Sequence, residues 1–523
     1  MEDPICPEFQ MYGYRLDQSE LDEITNQFNL RSRDNMDKFL LLTDIMIEYV
    51  GSAQWKNRSN AFLAMCAKAC FLRGMYGYNQ ILARQTSNIA CKGYAAAAYC
   101  RQSLDPRWLN NLRNITNQAW QAQYYIVFSE LSGQLASVLM DLGYADHAKD
   151  VLSEAIERVT KATTQDERIR TAVQAALLRP RILLAYISGR SASRDEAQVR
   201  LDSAAETAKV FQNRLAEADI LYFRAQAFED SLEHNRAMPL VQLALRDYER
   251  MGYLHGVADA RNLRGVIHLN MGELQEARDQ FEELLLIQQQ LNNQVGLART
   301  LINVGEIDRA LGQLEQMETY NSRALEISQE AEYMRGIAVS TVNLGDIQLW
   351  KGNIAKAIEH YNEVVKLCEG TGMKQTLAVT LFLLGDAHFA KDELEPAMTF
   401  YERAEAVSAD IAHHLYAFNA VVSQVITKWA MNEAPDTDGL TRVREALEPI
   451  DGWNKASDSS QMVSVRRRVL DDRKTDNEVC VFYDGEKCFE CRVDREAFRK
   501  ECFGNLFWKG SLCPYFKKFI AKL

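Results

Sequence analysis

Few residues in this 523-residue chain combine the type and the spacing that chemistry needs. Near the end stand Cys488 and Cys491, a CxxC pair, followed by Cys502 and Cys513. Four thiolates could hold zinc if the close pair sits in a tight turn. Cys66 and Cys70 are spaced to share one helix face, so they could begin a second metal site. No histidine precedes His147 or follows His414, and the adjacent His413 and His414 point in different directions on a helix. There is no GxGxxG, P-loop, HExxH or GxSxG, so nucleotide and hydrolytic chemistry has no motif to rest on. A third set is more regular: Glu306, Asp346 and Asp386 are carboxylates at one constant interval. Such a row attracts cations and repels another carboxylate.

The elements that position this row repeat with the same period. Gly265, Gly305, Gly345 and Gly385 are evenly spaced at that interval, as are Ala258, Ala298, Ala338 and Ala378. Twelve residues after each glycine come Ala277, Met317, Ala357 and Ala397, and sixteen after it Phe281, Asn321, Tyr361 and Tyr401. Alanine replaces the glycine upstream, with Ala216, Ala225 and Ala237 one period back and Ala185, Ala197 and Ala204 before that. A further copy carries Ala136, Gly143, Ala148 and Ala155. Each period predicts two antiparallel helices, A and B. A small residue in A lets B approach, and an aromatic on B fills the remaining space. Gly352 falls in the turn between them, where a positive φ is expected. One hairpin buries too little alone, so neighbours must stack into a solenoid.

The Leu344–Gly345, Gly352, Ala357, Tyr361 pattern, with Leu384–Gly385, Ala397 and Tyr401 in the next copy, resembles the tetratricopeptide repeat. Its 40-residue period is similar to the long repeats of the Pins/LGN polarity scaffolds and of rapsyn. The resemblance implies an all-α, right-handed α-solenoid of antiparallel helix pairs whose helix A lines a concave groove. It implies groove positions at Asp259, Asn262, Arg299, Asn303, Glu306, Arg309, Asn343, Asp346, Asp386 and Phe389. Chaperone-binding relatives clamp a C-terminal carboxylate with Lys and Asn at two of these positions, where this chain has apolar or amide groups and acids. The expected ligand is therefore a basic or amphipathic protein segment, with Asn303 and Asn343 bonding to its backbone. The same acids also admit a plainer role, as a solvated face or as partners of Arg299 and Arg309.

Around the array of about seven repeats at 121–430, the chain divides into a polar segment at 1–37, extended or a short helix, and divergent helical hairpins at 38–120. After it come a capping helix at 431–450, a charged linker at 451–478 and a small cysteine-rich module at 479–523. In that module Asp484–Gly485 signals a β-hairpin, and Asp494 can cap a helix ending near Gly504. The appendage is thus α+β. A strand would turn Cys488 and Cys491 to opposite faces, which favours an apolar hairpin-helix unit over a zinc site. Cys66 and Cys70 are expected to be buried thiols, leaving no metal and no cofactor.

A net charge of −12 argues against nucleic acid as a partner. The acidic start "MEDPICPEFQ" lacks an apolar signal region, Glu2 precludes myristoylation, and no run of about 18 apolar residues predicts a membrane span. A cytoplasmic, non-catalytic scaffold or adaptor accounts for the repeats and the acidity. The alternatives are a structural subunit of a larger assembly and a peptide-sensing regulator, which would need an output domain not evident here.

Overall fold

The structure, a computed structural model, describes residues 16–431 except 28–29, 31–33, 104, 163–172, 192–193, 231–232 and 412–413, with Arg442 and Glu445 beyond them. The expected hairpin-helix module and linker lie outside the described residues, as does nearly all of the expected capping helix. The fold is an all-α solenoid of antiparallel helix pairs, with 21 helices among the described residues. They form two compact units, residues 1–267 with 275–300, and 268–274 with 301 onward. The early helices are α1 (Gln18–Gln27), α2 (Asn35–Gly51), α3 (Asn60–Leu72), α4 (Tyr76–Gln85), α5 (Ile89–Ser103), α6 (Pro106–Gln121), α7 (Tyr125–Asp141) and α8 (Ala145–Ala162). Next come α9 (Leu178–Ser191), α10 (Arg194–Phe211), α11 (Arg214–Asp230), α12 (His234–Met251), α13 (Leu254–Met271), α14 (Leu274–Gln290) and α15 (Gln294–Ala310). The series ends with α16 (Leu314–Glu330), α17 (Met334–Trp350), α18 (Ile354–Thr371), α19 (Lys374–Ala390), α20 (Leu394–Asp410) and α21 (His414–Ala430).

The periodic small residues do what their spacing predicts. A Cβ added to Gly345 on α17 would lie 2.6 Å from Tyr361 Cε1 on α18, and one added to Gly265 would lie 2.7 Å from Phe281 Cε1. These are closer than carbon atoms can approach, so glycine sets the distance between A and B. Ala357 and Ala397 are fully buried, and so are Phe281, Tyr361 and Tyr401. Each aromatic contributes roughly 1.5–3 kcal/mol by leaving water. Asn321 holds the same position in its repeat, and its Nδ2 bonds to the Met317 carbonyl at 2.9 Å.

Turns recur twice per period with one backbone geometry. Left-handed φ values occur at Gln212, Gly252, Gly272, Asn292, Gly312, Glu332, Gly352, Gly372 and Asp392. At Gly352 φ is +81°, and the next N–H, that of Asn353, reaches the Gln348 carbonyl at 2.8 Å. This six-to-one bond satisfies carbonyls that the helix end leaves open. Asn292, Glu332 and Asp392 adopt the conformation without being glycine, so the turn outlasts its usual residue.

The N-terminal hairpins do more than begin the stack. Helix α1 is tied to its neighbours by Glu23, which accepts from Tyr49 Oη at 2.5 Å and pairs with Arg58 at 2.7 Å. Within the first unit, the α3–α4 hairpin packs against α13. His255 stacks on Phe71 and Tyr76, with ring centroids 5.9 and 5.4 Å away. Gln102 also donates to the Leu291 carbonyl at 3.3 Å, a contact between distant parts of the chain. Cys66 and Cys70 are buried in this apolar region, and Cys66 Sγ lies 3.6 Å from Met46 Sδ. Burial pushes both thiols well above their usual range, which keeps them protonated and inert.

Two measurements check this packing. Gly345→Ala is expected to lower stability by about 1–2 kcal/mol, because overpacking outweighs the gain in helix propensity. Gly370→Ala, on α18 where an added Cβ meets open space, is expected to raise it by up to about 1 kcal/mol. Equal effects in urea unfolding would show that the α17–α18 approach is not limiting.

The second measurement concerns His255, whose pKa burial pushes down to about 3. The unfolded state takes up a proton near pH 6.5, whereas the folded state does not. Stability should therefore fall as pH drops from 6.5 towards 3, by at most about 1.4 kcal/mol per pH unit from this group. His255→Phe keeps the stack and should flatten that slope relative to wild type; an unchanged slope would assign it to other groups.

Candidate functional site

The acidic row occupies the position just after each repeat glycine, where Asp346 and Asp386 meet the hydroxyls of the helix-B tyrosines. In the second unit these residues are Glu306 on α15, Asp346 on α17 and Asp386 on α19. They differ in what surrounds them. Glu306 pairs with Arg309 on its own helix, and its Oε1 accepts from Asn343 Nδ2 at 3.1 Å. The same Nδ2 donates to Asn321 Oδ1 at 3.0 Å. Arg309 Nη1 also stands 3.5 Å from Asp346 Oδ2, so one guanidinium serves acids of two successive repeats. Asp346 Oδ1 accepts from the Tyr361 hydroxyl at 2.6 Å.

Asp386 repeats the tyrosine bond but not the cation. Its Oδ1 accepts from the Tyr401 hydroxyl at 2.7 Å. It has no ion-pair partner among the described residues, and its side chain is almost wholly shielded by protein. Burial pushes this carboxyl well above the ordinary range; the Tyr401 hydrogen bond pulls it back, and the charge of Asp346 adds to the rise. A group of this kind is half of a pair: it gains most from a cation that arrives from outside.

The other expected groove residues are placed less favourably. Asn343 is buried and committed to Glu306 and Asn321, so it orients protein groups. Asn303 is half-buried and already engaged within the protein. Phe389 is 2 % exposed and belongs to the core. Asp259, Asn262 and Arg299 lie in the first unit, all half-buried; Asn262 and Arg299 have interactions of their own there. Among the described residues, no group of three or more His, Cys, Asp or Glu side chains could hold a metal ion, and no helix is long and apolar enough to cross a membrane.

The tyrosine hydroxyls stand outside the expected groove set, although their signal is present in the repeat. Where the acid position holds Val266, the aromatic fifteen residues later is Phe281; where it holds Asp346 and Asp386, the partner is Tyr361 and Tyr401. Glu306 faces the repeat in which the aromatic has become Asn321. The polar partner appears only where the acid does.

Asp386→Asn should separate the cost of this charge from its geometry, because the amide oxygen can still accept from Tyr401. The folded-state pKa is raised, so Asp386 favours the folded state at low pH and loses that contribution as pH rises. The variant is expected to have a higher urea midpoint than wild type at pH 7, with the difference shrinking towards pH 4. A lower midpoint at pH 7 would mean that the carboxylate already has a compensating cation.

Comparison with known proteins places this geometry in a family of repeats. Residues 256–330 and 336–410 match the tetratricopeptide-repeat model. No curated protein sequence matches the chain. Among solved structures, it is similar to a Rap protein complexed with competence and sporulation factor, at 13 % identity and a TM-score of 0.48, over 66 % of this chain and 99 % of that one. It is also similar to aspartyl phosphate phosphatase F from Bacillus subtilis, at 15 % identity and 0.42, over 76 % and 97 %. The apo quorum sensor NprR from B. thuringiensis matches at 14 % and 0.44, over 72 % and 99 %. Likenesses this distant assign no ligand.

Proposed function

We propose that this chain, which carries tetratricopeptide repeats at 256–330 and 336–410, is a non-catalytic protein-interaction scaffold whose acidic helix-A row receives a basic or amphipathic segment of a partner protein. The observation that carries this reading is Asp386, a shielded carboxyl with a tyrosine on one oxygen and no ion pair among the described residues. An arriving Lys or Arg supplies the missing charge. Arg309 already neutralises Glu306 and Asp346 in part, so the strongest demand for a ligand cation falls at the α19 end of the row. A C-terminal carboxylate is disfavoured there by like charge. Hydrogen bonds to the partner's backbone are not assigned to Asn343, which is occupied.

Affinity purification with mass spectrometry, using wild type and Asp386→Asn at about 0.15 and 0.5 M salt, tests the reading. A partner that is released by salt, and is captured poorly by the variant, is expected. A stoichiometric set of subunits retained in both salts and by both proteins would overturn the groove and favour a structural subunit of an assembly.

A further inference from the structure

A cavity of about 70 Å³ lies within the first unit, remote in sequence from the acidic row. Its walls come from the early hairpins and from the repeats that follow: Lys68 on α3, Tyr94 on α5 and Glu130 on α7 on one side, with Arg179 on α9, Asn213 before α11 and Tyr253 before α13 on the other. Phe71, Ile126 and Leu178 supply apolar surface. The volume has room for about five water molecules. A scaffold core of this kind is normally filled with side chains, and charged groups are costly there unless matched.

The charges inside are matched, but the neutral donors are not. Glu130 accepts from both Lys68 and Tyr94. Asp219 accepts from Arg179 Nη1 at 2.8 Å and from the Tyr248 hydroxyl at 2.7 Å. Both acids are thereby engaged by protein donors. Tyr253 is 2 % exposed and Asn213 8 %, and both line the cavity. The Tyr253 hydroxyl has no hydrogen-bond partner among the described residues. Asn213 uses its oxygen to accept the Ala216 N–H at 2.9 Å, which leaves its NH₂ without one. Arg179 pairs with Asp219 through Nη1, and its Nε is shielded from the cavity, so only the remaining edge of the guanidinium can face an occupant. Two neutral donors on this wall, the Asn213 amide and the Tyr253 hydroxyl, are thus without acceptors, and the start of α11, whose Leu215 and Ala216 line the cavity, adds the positive end of a 17-residue helix.

We infer that this cavity is a binding site for a small carboxylate, of the size of an amino acid or a short hydroxy acid, held by the Asn213 amide, the Tyr253 hydroxyl and the Arg179 guanidinium. The carboxylate's two oxygens supply the acceptors that the wall lacks, and Phe71 and Leu178 cover a short apolar body. Burial holds the Tyr253 phenol above its ordinary pKa, so its hydroxyl remains a donor at neutral pH. Because the cavity is walled by both the N-terminal hairpins and α9–α13, an occupant joins parts of the first unit that are far apart in sequence. The site is independent of the groove reading, and either can fail alone.

Thermal unfolding of the full chain with millimolar acetate, lactate, glycine and alanine, with ethylamine and ethanol as controls, tests the site. A dipeptide with a free or an amidated C-terminus distinguishes a peptide end from a free acid. At least one carboxylate is expected to raise Tm by about 2–4 °C while the controls do not. Tyr253→Phe keeps the ring, and Asn213→Asp keeps the acceptor for Ala216 while introducing like charge; each should weaken binding at least tenfold by calorimetry. No stabilisation by any carboxylate would mean that the cavity holds water only and would overturn the site. So would an equal shift with ethylamine, or binding unchanged in both variants.

Discussion

The approach of one helix to the next at Gly345 and Tyr361 is the contact on which the rest of the array depends. An α-helix gains nothing from an internal glycine; the residue weakens it by about 1 kcal/mol relative to alanine. The compensation lies across the pair, where the ring of Tyr361 occupies the volume that a Cβ would need. Because the pair recurs in period after period, the spacing of A and B is set anew in each repeat, and errors do not accumulate along the chain. Stability is then close to a sum of hairpins and the interfaces between neighbours. The left-handed turns serve the same end. Even Glu332 and Asp392 accept a backbone conformation disfavoured for them, because the flanking helices fix where the chain must reverse.

The same aromatic links packing to the charged row. Tyr361 and Tyr401 are core residues by burial, and their hydroxyls meet the buried acid that helix A carries. A phenylalanine would pack as well, as Phe281 does beside Val266. The extra oxygen makes a buried acid tolerable, since it satisfies one of the carboxyl oxygens in a place where desolvation is costly. The charged row is consequently built from the interior outwards. Its members are held in place by these contacts within the protein.

This coupling explains which parts of the molecule were legible in the sequence. The helix pairs, the A–B contact and the turn at Gly352 all follow from local periodicity, since each partner lies within one period. The acids were legible as a row, but the partner of each was not, because the acid and its tyrosine lie in separate registers of the repeat, fifteen residues apart. The return of α3 and α4 to α13 was not legible at all. His255 meets Phe71 and Tyr76 across several intervening helix pairs, and neither side carries a repeat signature that names the other. Contacts of that span are decided by the summed rotation of the intervening pairs, which no single residue encodes. The cavity beside them was hidden for the same reason. Asn213 and Tyr253 share the 40-residue register of the repeat, but Lys68 does not, and only the closed stack brings the three together.

The two units place their spare hydrogen-bonding and charging capacity in opposite senses. In the row of the second unit the excess is of acceptors: Arg309 is divided between Glu306 and Asp346, and Asp386 has no ion pair among the described residues. In the cavity of the first unit, the spare groups are donors, the amide of Asn213 and the hydroxyl of Tyr253. Packing alone would have removed both imbalances, because an apolar residue at Asp386 or a phenylalanine at Tyr253 satisfies the same volume without an unpaired group. Asp386 meets Tyr401 across the A–B pair and Tyr253 packs against Gly256, so both groups sit within repeat contacts. A single scaffold of helix pairs can therefore carry spare acceptors in one unit and spare donors in the other, with the A–B contact unchanged beneath each.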